Sequence, residues 1–245
     1  MKLPHPSRRR RQVFVTLGLL AIFGLLVHPS VRAHALNIFL WGFERAFPAH
    51  LVAMHRKLDP LYPSGAVLFV GDSLVAQLPV RRASPRAINL GVGSIGTRHA
   101  HAHLTGLVSL RRAQALVLLV GTNDLFQKQD PPADLAGEMT RLLAALPTAL
   151  EVIVCSVAPI DPTVHRDRSP AAIRRLNEIW RQCAAGRPKT TWLDLHPGLT
   201  DESGVLRREF HQGDGLHFSR DGNRKLADMI RSALEASTQA HLETG

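Results

Sequence analysis

At 245 residues the chain is long enough for one domain with a full core plus an appendage. Its apolar share of 45% and charged share of 20% are those of a globular protein and exclude a wholly disordered chain. The formal charge of +10 does not point to nucleic acid: Lys2, Arg8, Arg9, Arg10, Arg11 and Arg32 all precede the first acidic residue, Glu44, and the remainder holds twenty-four basic against twenty acidic residues.

The N-terminal charge has a different explanation. Residues 1–12 are basic, and Val13 to Val27 form an uncharged apolar run. That order is the layout of an export signal, with the positive end held inside. Two readings fit residues 1–35. One is a signal cleaved near Ala35, where Ala33-His34-Ala35 follows the helix-breaking Pro29. The other is a permanent hydrophobic helix anchoring the protein in a bacterial-type inner membrane, with Trp41 and Phe43 at the interface. Both place the following domain on the extracytoplasmic side. Residues 36–63 then read as a helical linker, interrupted at Pro48 and punctuated by Pro63-Ser64-Gly65.

From Ala66 short apolar runs alternate with amphipathic stretches. Strands are expected at 66–71, 87–92, 115–121, 151–157 and 190–195. Helices are expected at 73–78, 97–110, 133–146, 170–185 and 219–236, the last with Ser219 as N-cap. Continuous apolar strands separated by helices imply an α/β fold, a three-layer α/β/α sandwich around a central parallel sheet. The domain is expected to span 64–238, with a tail at 239–245. Cys155 falls in a strand and Cys183 in a helix, so they read as two separate buried thiols. No CxxC or His/Cys cluster suggests a metal site. His99, His101 and His103 read as a solvated helix face, and the pairs Arg111-Arg112 and Arg207-Arg208 as solvated.

In such a sheet the chemistry sits in loops beyond the strands' carboxyl ends. Those loops carry Gly71-Asp72-Ser73, then Gly91-Val92-Gly93-Ser94-Ile95-Gly96, then Gly121-Thr122-Asn123-Asp124, then Asp214-Gly215-Leu216-His217. A serine, a glycine-rich backbone, a carboxamide and an Asp-x-x-His on one sheet edge are the parts of acyl transfer: nucleophile, oxyanion donors, orienting acid and base.

These four blocks, in this order and at these separations, resemble the SGNH (GDSL) hydrolase superfamily, and within it the platelet-activating-factor-acetylhydrolase-like and bacterial carbohydrate-esterase branches. The resemblance covers about residues 64 to 238 and implies a flavodoxin-like fold without metal or cofactor. It implies Ser73 as nucleophile, His217 as general base and Asp214 as its orienting acid. Oxyanion donors would be the Ser73 amide, the Asn123 side chain and one glycine-loop amide from Gly91, Gly93 or Ser94. The chain departs from the family at Ser94, where the donor glycine usually stands; its amide keeps its direction if φ stays negative. Asp72 is expected to bond loop backbone near the site. The implied activity is a serine esterase acting through an acyl-enzyme. The short helix after Ser73 favours short-acyl esters of a glycan or small molecule. A lipid ester at the membrane, or acyl transfer by the same residues, are the alternatives.

Overall fold

The structure, a computed structural model, describes residues 48–127 and 130–244. The expected hydrophobic helix, the Ala33-His34-Ala35 cleavage site, Trp41 and Phe43 all lie outside the described residues. Among those described, no helix is long and apolar enough to cross a membrane. One compact unit begins at His50.

The elements alternate as the apolar pattern requires. Helix α1 covers 48–58. It is followed by β1 (Val67–Gly71), α2 (Ser73–Ala76), β2 (Ala87–Gly91), α3 (Thr97–Leu104), β3 (Ala115–Leu119), α4 (Leu135–Ala144), β4 (Glu151–Cys155), α5 (Pro170–Ala185), β5 (Thr190–Leu193), α6 (His196–Leu199) and α7 (Arg220–Thr244). All five strands are parallel, in the order β2-β1-β3-β4-β5. The central strands β1 and β3 are buried along their whole length, which is why they read as unbroken apolar runs. The edge strand β5 is only half-buried and keeps two threonines.

The two-residue period of a strand sorts its side chains onto two cores. Leu68, Val70, Leu116, Leu118, Val152 and Val154 face the side covered by Leu104, Met139, Leu142, Ile173, Leu176 and Trp180. Val67, Phe69, Ala115, Val117, Ile153 and Cys155 face the other, with Leu74, Val75, Leu199, Leu226 and Ile230. Helices α3, α4 and α5 therefore cover one face, and α2, α6 and α7 the other. The sandwich has three layers.

Several local expectations are adjusted. Helix α3 stops at Leu104 rather than Leu110. The Gly106 amide turns back to the His103 carbonyl, and a separate 3-10 turn covers Ser109–Arg111. The tail expected at 239–245 is largely helical, because α7 runs to Thr244. His103 is not solvated. It is fully buried, with its ring stacked on His55 of α1 at 5.3 Å between centroids. Burial pushes its pKa down to about 4, so the ring stays neutral where it packs. Arg112 is also engaged: its guanidinium donates to the carbonyls of Asp59, Pro60 and Tyr62 and ties the chain before β1 to the approach of β3. Both cysteines are free thiols, Cys155 buried and Cys183 half-buried.

Candidate active site

The parallel topology delivers the first three loops to one edge of the sheet, and the Ser73–His217 contact brings the fourth to the first. Loop one follows β1. Asp72 is the N-cap of α2 and its Oδ1 accepts the Leu74 amide at 2.9 Å, which holds the turn that presents Ser73. Asp72 is completely buried, and burial pushes its carboxyl up to about 6, against the Leu74 amide and the charges of Arg168 and His217. The one hydrogen bond of its carboxyl among the described residues goes to loop backbone.

The fourth loop carries Asp214 and His217. His217 Nε2 lies 3.1 Å from Ser73 Oγ, and His217 Nδ1 lies 2.6 Å from Asp214 Oδ2. A carboxylate only accepts, so Nδ1 bears the proton and Nε2 is left to accept from the Ser73 hydroxyl. The second Asp214 oxygen accepts the amides of Leu216 and His217 at 3.0 and 2.9 Å. Burial pushes the Asp214 carboxyl up, but the His217 ring and these two amides outweigh it and hold it below the usual carboxylate range. The aspartate is therefore charged at neutral pH and able to stabilise an imidazolium. The loop itself is ordered by His211, a buried residue whose Nδ1 accepts the amides of Gly213 and Gly215, both at 3.1 Å.

The second and third loops face each other. Asn123 Nδ2 donates to the Ile95 carbonyl at 3.0 Å. Asp124 caps α3 from outside, accepting the Thr97 amide at 2.9 Å and its hydroxyl at 2.8 Å. The Val92 amide donates to the Gly71 carbonyl, joining the second loop to the first. Gly121 has φ +120°, and a Cβ there would stand 2.6 Å from Val157 Cγ2, so only glycine can start this turn.

Of the three expected backbone donors, Gly91 is excluded. Its amide donates to Asn89 Oδ1 at 2.9 Å, and a Cβ on it would stand 2.2 Å from the Ala76 nitrogen. Gly91 is there to let α2 approach β2. The amides of Ser73, Gly93 and Ser94 make no hydrogen bond within the protein among the described residues. Ser94 departs from the expected backbone: its φ is +64°, the left-handed conformation a glycine adopts freely. The serine thus keeps the glycine conformation at a cost of order 1 kcal/mol. Ser94 is exposed.

Arg168, buried in the loop two residues before α5, is a site residue that the motif blocks do not contain. Its Nε donates to the Thr122 carbonyl at 2.7 Å and its Nη2 to Asn123 Oδ1 at 3.1 Å. His165, beside it, accepts from Nη1 at 2.6 Å. Among the described residues no group of three or more His, Cys, Asp or Glu side chains is arranged to hold a metal ion.

Residues 66–225 match the GDSL-like Lipase/Acylhydrolase family. The chain belongs to this family. Among curated proteins it is similar to platelet-activating factor acetylhydrolase IB subunit alpha1 of Pongo abelii. The identity is 30% over 179 residues, 69% of this chain and 74% of that one. Among solved structures it is similar to one from Streptococcus pneumonia named for platelet activating factor. That match has a TM-score of 0.74 and 22% identity, over 82% of this chain and 99% of the other. The acetyl xylan esterase AlAXEase shares the fold at a TM-score of 0.58 and 20% identity, over 69% and 98% of the two chains. As a GDSL acylhydrolase the protein is an ester hydrolase. The matched residues include all four loops, from Gly71-Asp72-Ser73 to Asp214-Gly215-Leu216-His217.

Proposed function

We propose that the protein hydrolyses short-acyl carboxylic esters through an acyl-enzyme on Ser73. The observation that carries this is the unbroken chain Ser73 Oγ–His217 Nε2–His217 Nδ1–Asp214 Oδ2. His217 takes the hydroxyl proton as Ser73 attacks the ester carbonyl, then returns it to the leaving alcohol. Asp214 holds the tautomer and stabilises the imidazolium. The carbonyl oxygen becomes an oxyanion as the tetrahedral centre forms. The amides of Ser73 and of Ser94 or Gly93, with Asn123 Nδ2, are the donors proposed to receive it. A second turn of the same base on water releases the acid.

The four-residue α2 after Ser73 and the acetylhydrolase relative both support a small acyl group on a glycan or small molecule. A p-nitrophenyl ester series tests this. The expected kcat/KM is highest for acetate or propionate and at least tenfold lower for octanoate, with release from O-acetylated sugars in the same rank. A maximum at octanoate or beyond overturns the short-acyl reading in favour of a lipid ester.

The basic-then-apolar order of residues 1–27 supports export of the domain across a bacterial-type inner membrane. The esterase is then expected in the periplasmic or membrane fraction of producing cells. Recovery of the full-length chain wholly from the cytosol overturns that placement.

A further inference from the structure

We propose that Arg168 is a positioning residue that sets the polarity of the Asn123 oxyanion donor, a role that rests on the hydrolase reading above. An asparagine side chain ends in two groups of nearly the same shape and opposite function, an accepting oxygen and a donating NH₂. Only one of its two orientations serves an oxyanion. The reversed one would present a second oxygen to the developing negative charge.

The neighbours of Asn123 admit one orientation. A guanidinium carries donors alone, so the atom 3.1 Å from Arg168 Nη2 is Oδ1. A carbonyl accepts alone, so the atom 3.0 Å from the Ile95 oxygen is Nδ2. One Nδ2 hydrogen is used by Ile95, and the other remains for substrate. Turning the carboxamide over would set NH₂ against guanidinium and oxygen against oxygen.

Arg168 is suited to hold this arrangement because it is itself held. It is buried, and its Nε is fixed on the Thr122 carbonyl at 2.7 Å, one residue before the side chain it orients. Its charge lies beside Asp72, the buried carboxylate preceding the nucleophile. Its third donor goes to His165 Nε2 at 2.6 Å. His165 packs against the Asp214 loop, where a Cβ on Gly215 would stand 3.0 Å from its Cβ. Asp161, whose carbonyl accepts the His165 amide, donates its own amide to the Gly215 carbonyl. One cation thus touches the Asn123 loop directly and the Asp214–His217 loop through one neighbour. A lysine has a single head and cannot meet Thr122, Asn123 and His165 together.

The test is a double-mutant cycle on p-nitrophenyl acetate hydrolysis, with kcat and KM resolved and melting temperature measured for each variant. Asn123→Ala is expected to lower kcat by about 10²–10³-fold. Arg168→Lys is expected to lower kcat by about 10–100-fold with KM within about twofold. In the Asn123→Ala background, Arg168→Lys should cost less than about threefold, because the group it orients is gone. As a second measurement, millimolar guanidinium should raise kcat of Arg168→Ala but not of Asn123→Ala/Arg168→Ala. Additive losses, wild-type kcat in Arg168→Lys, or a loss traced wholly to unfolding below the assay temperature each overturn the proposal. Ser73→Ala, run in parallel, separates the two levels. If it keeps turnover, the hydrolase reading fails. If it is inactive while the cycle is additive, only the role of Arg168 fails.

Discussion

Ser73→Ala should lower p-nitrophenyl acetate turnover by about 10⁴–10⁶-fold, to near the uncatalysed rate. The expectation follows from how little else in the site can attack a carbonyl. Asp72 is buried behind the turn and bonded to the Leu74 amide. Asp214 is committed to the His217 ring and two amides. Both cysteines are remote in sequence from the four loops. The substitution removes one half-buried oxygen whose side-chain partner among the described residues is the His217 ring, so the fold should hold, with stability changed by less than about 1 kcal/mol. Steady-state kinetics beside a thermal melt measure both halves. Substantial turnover in a folded Ser73→Ala protein is the outcome that contradicts this role.

The second large effect is expected from His217→Ala, a loss of about 10³-fold or more in kcat. A serine hydroxyl is a weak nucleophile at neutral pH, and the imidazole 3.1 Å away is the group placed to accept its proton. The loop should survive the change. The backbone amides of Leu216 and His217 still bond Asp214 Oδ1, and His211 still gathers the amides of Gly213 and Gly215. Asp214 Oδ2 loses its partner, but the side chain is 46% exposed and water can replace the ring. Added imidazole should recover part of the rate in His217→Ala and none in Ser73→Ala. A His217→Ala enzyme within tenfold of wild type would show that another group takes the proton.

Much of this arrangement is legible in the sequence because it is local or periodic. Unbroken apolar runs at β1 and β3 reflect burial on both faces, and a parallel sheet puts the following loops on one edge. The Ser73 turn and the Asp-x-x-His loop are short, and each carries its own internal bonds. Contacts between distant segments are not legible in that way. Arg168 reaches Asn123 across 45 residues from a stretch without apolar rhythm. Asp124 caps a helix 27 residues earlier, where the sequence shows only a glycine at the N-cap. His103 reads as polar until α1 is laid against it. Ser94 shows why residue type alone misleads: its amide direction depends on a φ of +64°, which a serine does not announce.

Activation of Ser73 by His217 can be read out on the protein itself. The most direct measurement treats the wild-type protein with a fluorophosphonate, digests it and locates the adduct by mass spectrometry. The expected result is a single adduct on the peptide containing Ser73, formed at least about 10²-fold more slowly in His217→Ala. An adduct on any other residue, or equal labelling rates in the two proteins, would contradict it.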